Sequence, residues 1–142
     1  MRGYWHDPEL TAEALIGDGW LRSGDLGHLD PDGNLVLDGR VGDMYIRGGY
    51  NVYPLEVENV LAAHPAVAQV AVVGAPADEL GELGVAFVVA QPDSAAPTLA
   101  ELRSWCRAHL ASYKAPDRIH LVDALPLTAM LKVDKSRLRE WL

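Results

Sequence analysis

The stretch PLEVENVLAAHPAVAQVAVV, residues 54–73, predicts a helix that leads directly into a buried strand. Proline at the first helical position and the acidic Glu56 and Glu58 favour a helix start, because carboxylates stabilise the positive end of the helix dipole. Val57 and Leu61 then recur at helical spacing. The apolar run after the second proline has the length of a strand and lacks alternation, which is typical of strands covered on both faces.

Further elements extend this pattern in both directions. Residues 85–90 form a second apolar run of strand length, and Thr98 with Glu101 forms a capping box for a helix that reaches His109. The other predicted elements are short: a helix over 8–16 capped by Asp7, hairpin arms at 26–29 and 35–38, strands over 44–46 and 118–122, and a last helix capped by Asp134 that buries Leu138, Trp141 and Leu142. This order predicts an α+β fold, a small mixed β-sheet packed with helices and preceded by a β-hairpin segment.

The composition excludes several classes of function. The chain has 142 residues, 49% of them hydrophobic, and a formal net charge of −8. An acidic chain is a poor partner for nucleic acid or anionic membranes, which are bound through clustered Lys and Arg. The single cysteine, Cys106, excludes an intrachain disulfide and favours the cytoplasm. No apolar run approaches the roughly 18 residues of a membrane span, and the scattered histidines predict no metal site held by protein ligands.

Two candidate site residues lie in or beside the hairpin segment. Asp25 follows Gly24, and its carboxylate could accept two hydrogen bonds from a sugar diol or could only cap its own turn. Arg40 follows Gly39 and carries a permanent charge, although an exposed arginine without a special task is the commoner case. Residue type alone leaves both alternatives open.

Two more candidates lie further along the chain. Gly48 and Gly49, after Arg47, permit backbone angles and close approaches that a side chain would block, so that a long thin ligand could pass there. A plain turn explains the same residues. Lys132 ends a loop ahead of the last predicted helix, a position at which most lysines are simply solvated.

Five motifs, taken in order, resemble the C-terminal part of the adenylate-forming enzymes, which include acyl-CoA synthetases, adenylation domains of peptide synthetases and firefly luciferase. The motifs are WLRSGDLG at 20–27, GRVGD at 39–43, RGGYNVYPLEVE at 47–58, YKAP at 113–116, and LPLT at 125–128 with Lys132. The resemblance spans essentially the whole chain, and five motifs in register are far more specific than any one of them.

The resemblance implies an organisation and a reaction. Residues 1–41 correspond to the end of a large, incomplete N-terminal domain, and residues 42–142 to a C-terminal lid domain that rotates between two half-reactions. The family joins a carboxylic acid to ATP, forming an acyl-adenylate, and passes the acyl group to coenzyme A. Mg²⁺ enters with ATP, its ligands lying outside these residues. The family's phosphate-binding loop is absent, so the 142 residues alone are expected to be inactive.

The resemblance also implies residue roles. Lys132 corresponds to the catalytic lysine of adenylation, Asp25 to the carboxylate that holds the ribose hydroxyls, and Arg40 to the arginine near ribose and phosphate. Gly42 stands at the hinge, where the family usually has aspartate or lysine.

The coenzyme A contacts are implied in the same way. Gly48 and Gly49 correspond to the loop that lines the pantetheine tunnel, and Arg47 is a candidate partner for a coenzyme A phosphate. Leu131 replaces the glycine that usually precedes the catalytic lysine. If that glycine serves a left-handed backbone, we expect the loop to take another path here, with Lys135 as the nearest substitute for Lys132.

Two alternative functions are also compatible with these motifs. An adenylation enzyme that loads an acyl or aminoacyl group onto a carrier protein shares most of these motifs, and the RGGYNVYPLEVE motif favours coenzyme A ligases over it. A non-catalytic, stand-alone binding module with the same fold is the other. The identity of the carboxylic acid is not encoded in these residues.

Overall fold

The computed structural model describes residues 1–142 and divides them into two compact units, residues 1–42 and residues 43–142. The assignment of the first unit to a larger domain stays a prediction. None of the helices in either unit combines the length and the apolar character needed to cross a lipid bilayer.

The first unit contains one helix and two small antiparallel pairs of strands. Its elements are α1 (Pro8–Ala14), β1 (Leu15–Ile16), β2 (Trp20–Leu21), β3 (Asp25–Leu29) and β4 (Leu35–Arg40). As predicted, Asp7 caps α1, its side chain accepting the Leu10 amide at 2.8 Å, and β3 and β4 form the hairpin. The helix is shorter than predicted, because Leu15 and Ile16 pair with β2 instead.

The second unit is built on a mixed five-stranded sheet. Its elements are β5 (Tyr45–Arg47), β6 (Tyr50–Val52), α2 (Pro54–Ala62), β7 (Val67–Ala77), β8 (Gly81–Ala90), α3 (Leu99–His109), β9 (Arg118–Leu121) and α4 (Lys135–Glu140). The long strands β7 and β8 form an antiparallel hairpin, β5 joins β8 at its first residue and carries β6, and β9 runs parallel to β8. The predicted α+β class with a mixed sheet is confirmed.

The hairpin β7–β8 is covered on both faces, as its unbroken apolar runs predict. Val72 and Val88 pack on one face with Leu61 of α2 and Leu102 of α3. The residues that alternate with them pack on the other face with Leu138 of α4, as a cluster of Val73, Val85, Phe87, Leu125 and Leu138. The capping box of α3 is present, with Thr98 and Glu101 bonded reciprocally.

Two predictions about extent and burial are wrong, and one strand was missed. Strands β7 and β8 are longer than their apolar cores, because cross-strand hydrogen bonds carry the pairing to the turn at 78–80. Strand β6 was not predicted, since its side chains are mostly exposed. Trp141 and Leu142 are 44% and 48% exposed, because α4 ends at Glu140 and only Leu138 reaches the core.

Tyr45 lies over two glycines at the centre of this sheet. Gly74 and Gly84 are paired residues of β7 and β8, and a Cβ atom at either position would approach Tyr45 closer than 3.0 Å. The ring is buried and its hydroxyl has no hydrogen-bond partner. Burial raises the pKa of Tyr45, so that the hydroxyl stays protonated.

Candidate functional site

The hairpin of the first unit brings Asp25 and Arg40 together. They are directly paired residues of β3 and β4, and Arg40 Nε lies 2.9 Å from Asp25 Oδ1. Arg40 also donates to the backbone oxygen of Ser23 at 3.1 Å, and the Ser23 hydroxyl accepts the Asp25 amide. Sequence spacing alone did not establish this contact.

The chemistry of this pair suits a neutral polar ligand with hydroxyl groups. The Asp25 carboxylate is partly exposed, and the ion pair with Arg40 orients it while leaving its second oxygen outside that contact. A carboxylate held in this way can accept hydrogen bonds from a diol. The ion pair itself, being exposed, contributes only about 0–1 kcal/mol to stability.

Gly42 follows in the short 3₁₀ turn Val41–Asp43. Its φ lies outside the left-handed region, and a Cβ atom there would meet nothing within 4 Å. The conformation of this turn therefore does not itself require glycine at this position. A glycine here still lowers the steric cost of a large backbone change.

Gly48 and Gly49 form the tight turn between β5 and β6. Their φ values are +57° and +85°, and the flanking residues Arg47 and Tyr50 are paired across the hairpin. Positive φ at both central residues defines a type I′ turn, for which glycine is strongly favoured. Both glycines are exposed, and the Gly48 amide donates to the Leu80 oxygen at 2.8 Å. The turn presents bare backbone to its surroundings.

Arg47 is held beside this turn by a largely buried ion pair. Its Nε and Nη2 donate to the two carboxylate oxygens of Asp117 at 2.8 and 2.7 Å. Burial alone would raise the pKa of Asp117, but hydrogen bonds from Arg47 and the Gly84 amide outweigh it and lower that pKa. The guanidinium therefore fixes β5 to the start of β9. Nη1 is the only guanidinium nitrogen of Arg47 that lies outside this bidentate contact.

Lys132 lies on a five-residue loop closed by Thr128. The Thr128 amide donates to the Lys132 oxygen at 2.7 Å, and the Leu131 amide donates to the Thr128 oxygen at 2.9 Å. The Lys132 amide reaches the Thr128 hydroxyl at 3.3 Å, and a β-bridge joins Leu127 to Val133. The backbone of Lys132 is thus held while its side chain is exposed.

The ammonium group of Lys132 makes no ion pair, which among the Lys and Arg side chains of the second unit is also true of Arg107, Arg118 and Arg137. The side chains in ion pairs are Arg47, Arg103, Lys114, Lys135 and Arg139. An exposed, unpaired ammonium on a constrained loop can meet an anionic ligand without first breaking a contact in its own unit.

Leu131 takes a left-handed backbone conformation within this loop. Its φ is +61°, so that leucine itself adopts the left-handed conformation that glycine would favour. A type I turn followed by a left-handed residue is a common hairpin connection, and the hydrogen bonds to Thr128 fit that pattern. Leucine bears a strain of about 1–2 kcal/mol in this conformation, and a loop path different from that of the family stays a prediction.

We expect Leu131→Gly to raise the free energy of unfolding of this chain by roughly 0.5–1 kcal/mol, since strain relief exceeds the added entropy of the unfolded chain. The leucine side chain is 80% exposed, so that little burial is lost. Urea denaturation measures the difference, with Leu131→Ala as the matched control that keeps the left-handed strain. A glycine variant less stable than the alanine variant contradicts this explanation.

Lys135, the nearest substitute for Lys132, is held in ion pairs. Its ammonium contacts Glu58 at 2.8 Å and Asp43 at 3.5 Å, and the side chain is only 18% exposed. A cation between two carboxylates serves the structure of the unit, which argues against Lys135 as the substitute for Lys132.

The Lys132 loop and the Gly48–Gly49 turn lie at opposite ends of the β7–β8 hairpin. A groove beside the loop is lined by Gln69, Val70 and Leu131, near the start of β7. The glycine turn is bonded to Leu80, in the connection that follows the end of β7 at Ala77. The length of β7 between them is about 23 Å. One ligand atom cannot meet both features from a single orientation of this unit.

The sequence did not predict the hydrogen-bond partners of Arg47 and of the Lys132 loop. Asp117 is 70 positions from Arg47, and no local pattern marks it as the partner. Thr128 was part of a recognised motif, but its three hydrogen bonds around the Lys132 loop follow only from the turn geometry.

A family described as AMP-binding enzyme C-terminal domain matches residues 56–132 of this chain. Among curated proteins, the chain is 50% identical over 140 residues to the 3-[(3aS,4S,7aS)-7a-methyl-1,5-dioxo-octahydro-1H-inden-4-yl]propanoyl:CoA ligase of Mycobacterium tuberculosis, and the match covers 99% of the chain and 27% of the relative. It is 42% identical over 140 residues to the fatty acid–acyl-carrier-protein ligase ScoC of Streptomyces coeruleorubidus, with the same coverage.

Solved structures match this chain in both sequence and fold. The amide bond synthetase McbA from Marinactinospora thermotolerans superposes with a TM-score of 0.92 at 43% identity, and the match covers 99% of this chain and 29% of that one. The chain therefore spans little more than a quarter of the length of the proteins it matches. The names of the two curated relatives differ in the acyl acceptor. The acceptor is coenzyme A in the Mycobacterium tuberculosis ligase and a carrier protein in ScoC.

Proposed function

Because the chain belongs to the family of AMP-binding enzyme C-terminal domains, we propose that it works as the C-terminal part of an AMP-forming acyl-CoA synthetase. In the first half-reaction a carboxylate oxygen attacks the α-phosphorus of ATP, forming the acyl-adenylate and releasing pyrophosphate. In the second, the thiolate of coenzyme A attacks the acyl carbon, forming the thioester and releasing AMP. Residues 43–142 are the lid domain in this proposal.

The observation that carries the proposal is the placement of two different chemical features at opposite ends of one hairpin. Lys132 supplies an exposed ammonium, and Gly48–Gly49 supplies a bare backbone turn. Rotation of the lid about Gly42 would present the first feature during adenylation and the second during thioester formation.

Lys132 suits the adenylation step because one anion attacks another there. A fixed cation stabilises the negative charge that builds up between carboxylate and phosphate. Asp25 would accept hydrogen bonds from the ribose hydroxyls, and Arg40 orients that carboxylate and contributes positive charge near the phosphate. Mg²⁺ would arrive with ATP, and the chain holds no group of three or more His, Cys, Asp or Glu side chains arranged for a metal ion.

Gly48 and Gly49 suit the thioester step because the pantetheine arm is long and narrow. A type I′ glycine turn leaves space beside the backbone that side chains would fill. Arg47 positions this turn through Asp117, and its remaining nitrogen is the group that could contact a coenzyme A phosphate. A cytoplasmic location stays a prediction of the cysteine content.

The proposal is tested in the full-length protein that contains this chain, by measuring pyrophosphate release and thioester formation separately with a panel of carboxylic acids. We expect Gly49→Leu to slow thioester formation from supplied acyl-adenylate at least tenfold and to leave adenylation within twofold. Gly33→Leu is the matched control, since Gly33 has φ of +84° against +85° for Gly49 and open space around it as well. Equal effects of the two substitutions contradict the assignment of the turn.

The acceptor is tested in the same preparation. Transfer to free coenzyme A is expected to exceed transfer to a holo carrier protein. The reverse result favours a carrier-protein ligase, to which the similarity with ScoC also points.

A further inference from the structure

Four charged side chains form a cluster where the second unit begins. Lys135 lies at its centre, with its ammonium 2.8 Å from Glu58 Oε1 and 3.5 Å from Asp43 Oδ2. Arg139, one helical turn further along α4, approaches the other oxygen of Asp43 at 3.8 Å. The cluster joins three parts of the unit: its first residue, helix α2 and helix α4.

The cluster is partly buried and is hydrogen-bonded to the sheet. Lys135 and Glu58 are 18% and 15% exposed, and the same Glu58 oxygen accepts the backbone amide of Val72 at 2.7 Å. Removing one partner from such a cluster leaves an unpaired charge in a poorly hydrated place, which costs more than breaking an exposed pair.

The cluster connects two segments that are far apart in the chain. Asp43 directly follows Gly42, and Lys135 comes three residues after Lys132. The Asp134 amide donates to the Pro126 oxygen at 2.8 Å, which closes the base of the Lys132 loop. A single ammonium therefore links the start of the unit to the segment that carries Lys132.

The Gly48–Gly49 turn reaches the same starting point by a different route. Strand β5 begins two residues after Asp43, so that the chain itself connects the turn to Gly42. The Lys132 loop has no such short covalent path and depends on contacts within the unit. Loss of the cluster should affect the two features unequally.

We propose that Lys135 is a positioning residue that ties Asp43 to the Lys132 segment, so that rotation at Gly42 moves Lys132 together with the start of the lid. The inference rests on the proposed function in assigning adenylation to Lys132. It assigns Lys135 no contact with substrate.

The test uses the full-length protein and two separately measured half-reactions. Lys135→Met, which keeps an unbranched side chain of nearly the same length and removes its charge, is expected to lower kcat of adenylation about tenfold, with KM for ATP and acid within twofold. Thioester formation from supplied acyl-adenylate should stay within twofold, and Lys135→Arg should restore most of the adenylation rate. Arg137→Met is the matched control, an exposed cation of the same helix that is not in the cluster.

A second measurement does not depend on catalysis. Amide hydrogen exchange of this chain should show faster exchange at residues 126–134 in Lys135→Met than in Arg137→Met, while strands β7 and β8 stay protected. Unchanged exchange, equal losses in both half-reactions, or no rescue by arginine each overturn the inference. If the wild-type protein shows no adenylation at all, the proposed function fails, and the exchange comparison still decides the link between Lys135 and the loop.

Discussion

Replacing Lys132 by alanine is expected to slow adenylation by the full-length protein a hundredfold or more, and to leave thioester formation from supplied acyl-adenylate within about twofold. Removing one preorganised group that stabilises developing charge typically costs this much in kcat. The second half-reaction is spared because the features proposed for it lie at the other end of the β7–β8 hairpin.

The design of this experiment separates charge from loop structure. Met130→Ala changes another exposed side chain of the same loop and should leave both half-reactions within twofold. Lys132→Ala should also leave the free energy of unfolding within about 0.5 kcal/mol, because the side chain is exposed. A variant that loses both half-reactions equally contradicts the proposed function of Lys132.

Replacing Gly84 by alanine is expected to destabilise the second unit by about 2–3 kcal/mol. The added Cβ atom would lie 3.0 Å from Tyr45 Cζ and still closer to the hydroxyl oxygen, in a fully buried part of the core. Overpacking of this kind forces side chains and backbone to shift. Urea or thermal denaturation of this chain measures the loss, and Gly42→Ala, at a position with no neighbour within 4 Å, should change stability by less than 0.5 kcal/mol.

Tyr45→Phe distinguishes a local clash from a general intolerance of β8. Alone, this substitution should be neutral or slightly stabilising, because it removes a buried hydroxyl without a hydrogen-bond partner. Combined with Gly84→Ala, it should recover part of the lost stability, since the nearest atom is gone while the ring carbon remains. Strictly additive changes would show that the tyrosine hydroxyl is not the cause.

The sequence predicted secondary structure and burial best where these depend on neighbours along the chain. Thr98 and Glu101 lie within one helical turn, so that their capping box was predictable and is present. The apolar runs of β7 and β8 predicted burial on both faces, because two covering layers demand unbroken apolar residues. The pattern failed for Trp141, because an apolar side chain beyond the last helical turn has no periodic neighbour that directs it to the core.

For the candidate site, too, local features could be predicted from the sequence and three-dimensional contacts could not. The residue types and their order in the chain were enough to show the resemblance to the C-terminal part of adenylate-forming enzymes and to select Asp25, Arg40, Lys132 and the glycine pair as candidates. Their geometry was not accessible in this way. The bidentate contact of Arg47 with Asp117 and the cluster around Lys135 join segments that only the packed sheet brings together.

Local chemistry was therefore enough to predict most of the elements, the motifs and the family, since capping, hydrophobic periodicity and turn residues act over a few positions. Tertiary structure alone decided that Lys135 is paired while Lys132 is free of ion pairs, and that Leu131 adopts φ of +61°. The reason is that Lys135 meets Glu58 and Asp43 only when segments far apart in the chain pack together, and that the angle of Leu131 depends on the closed turn beneath the Leu127–Val133 bridge.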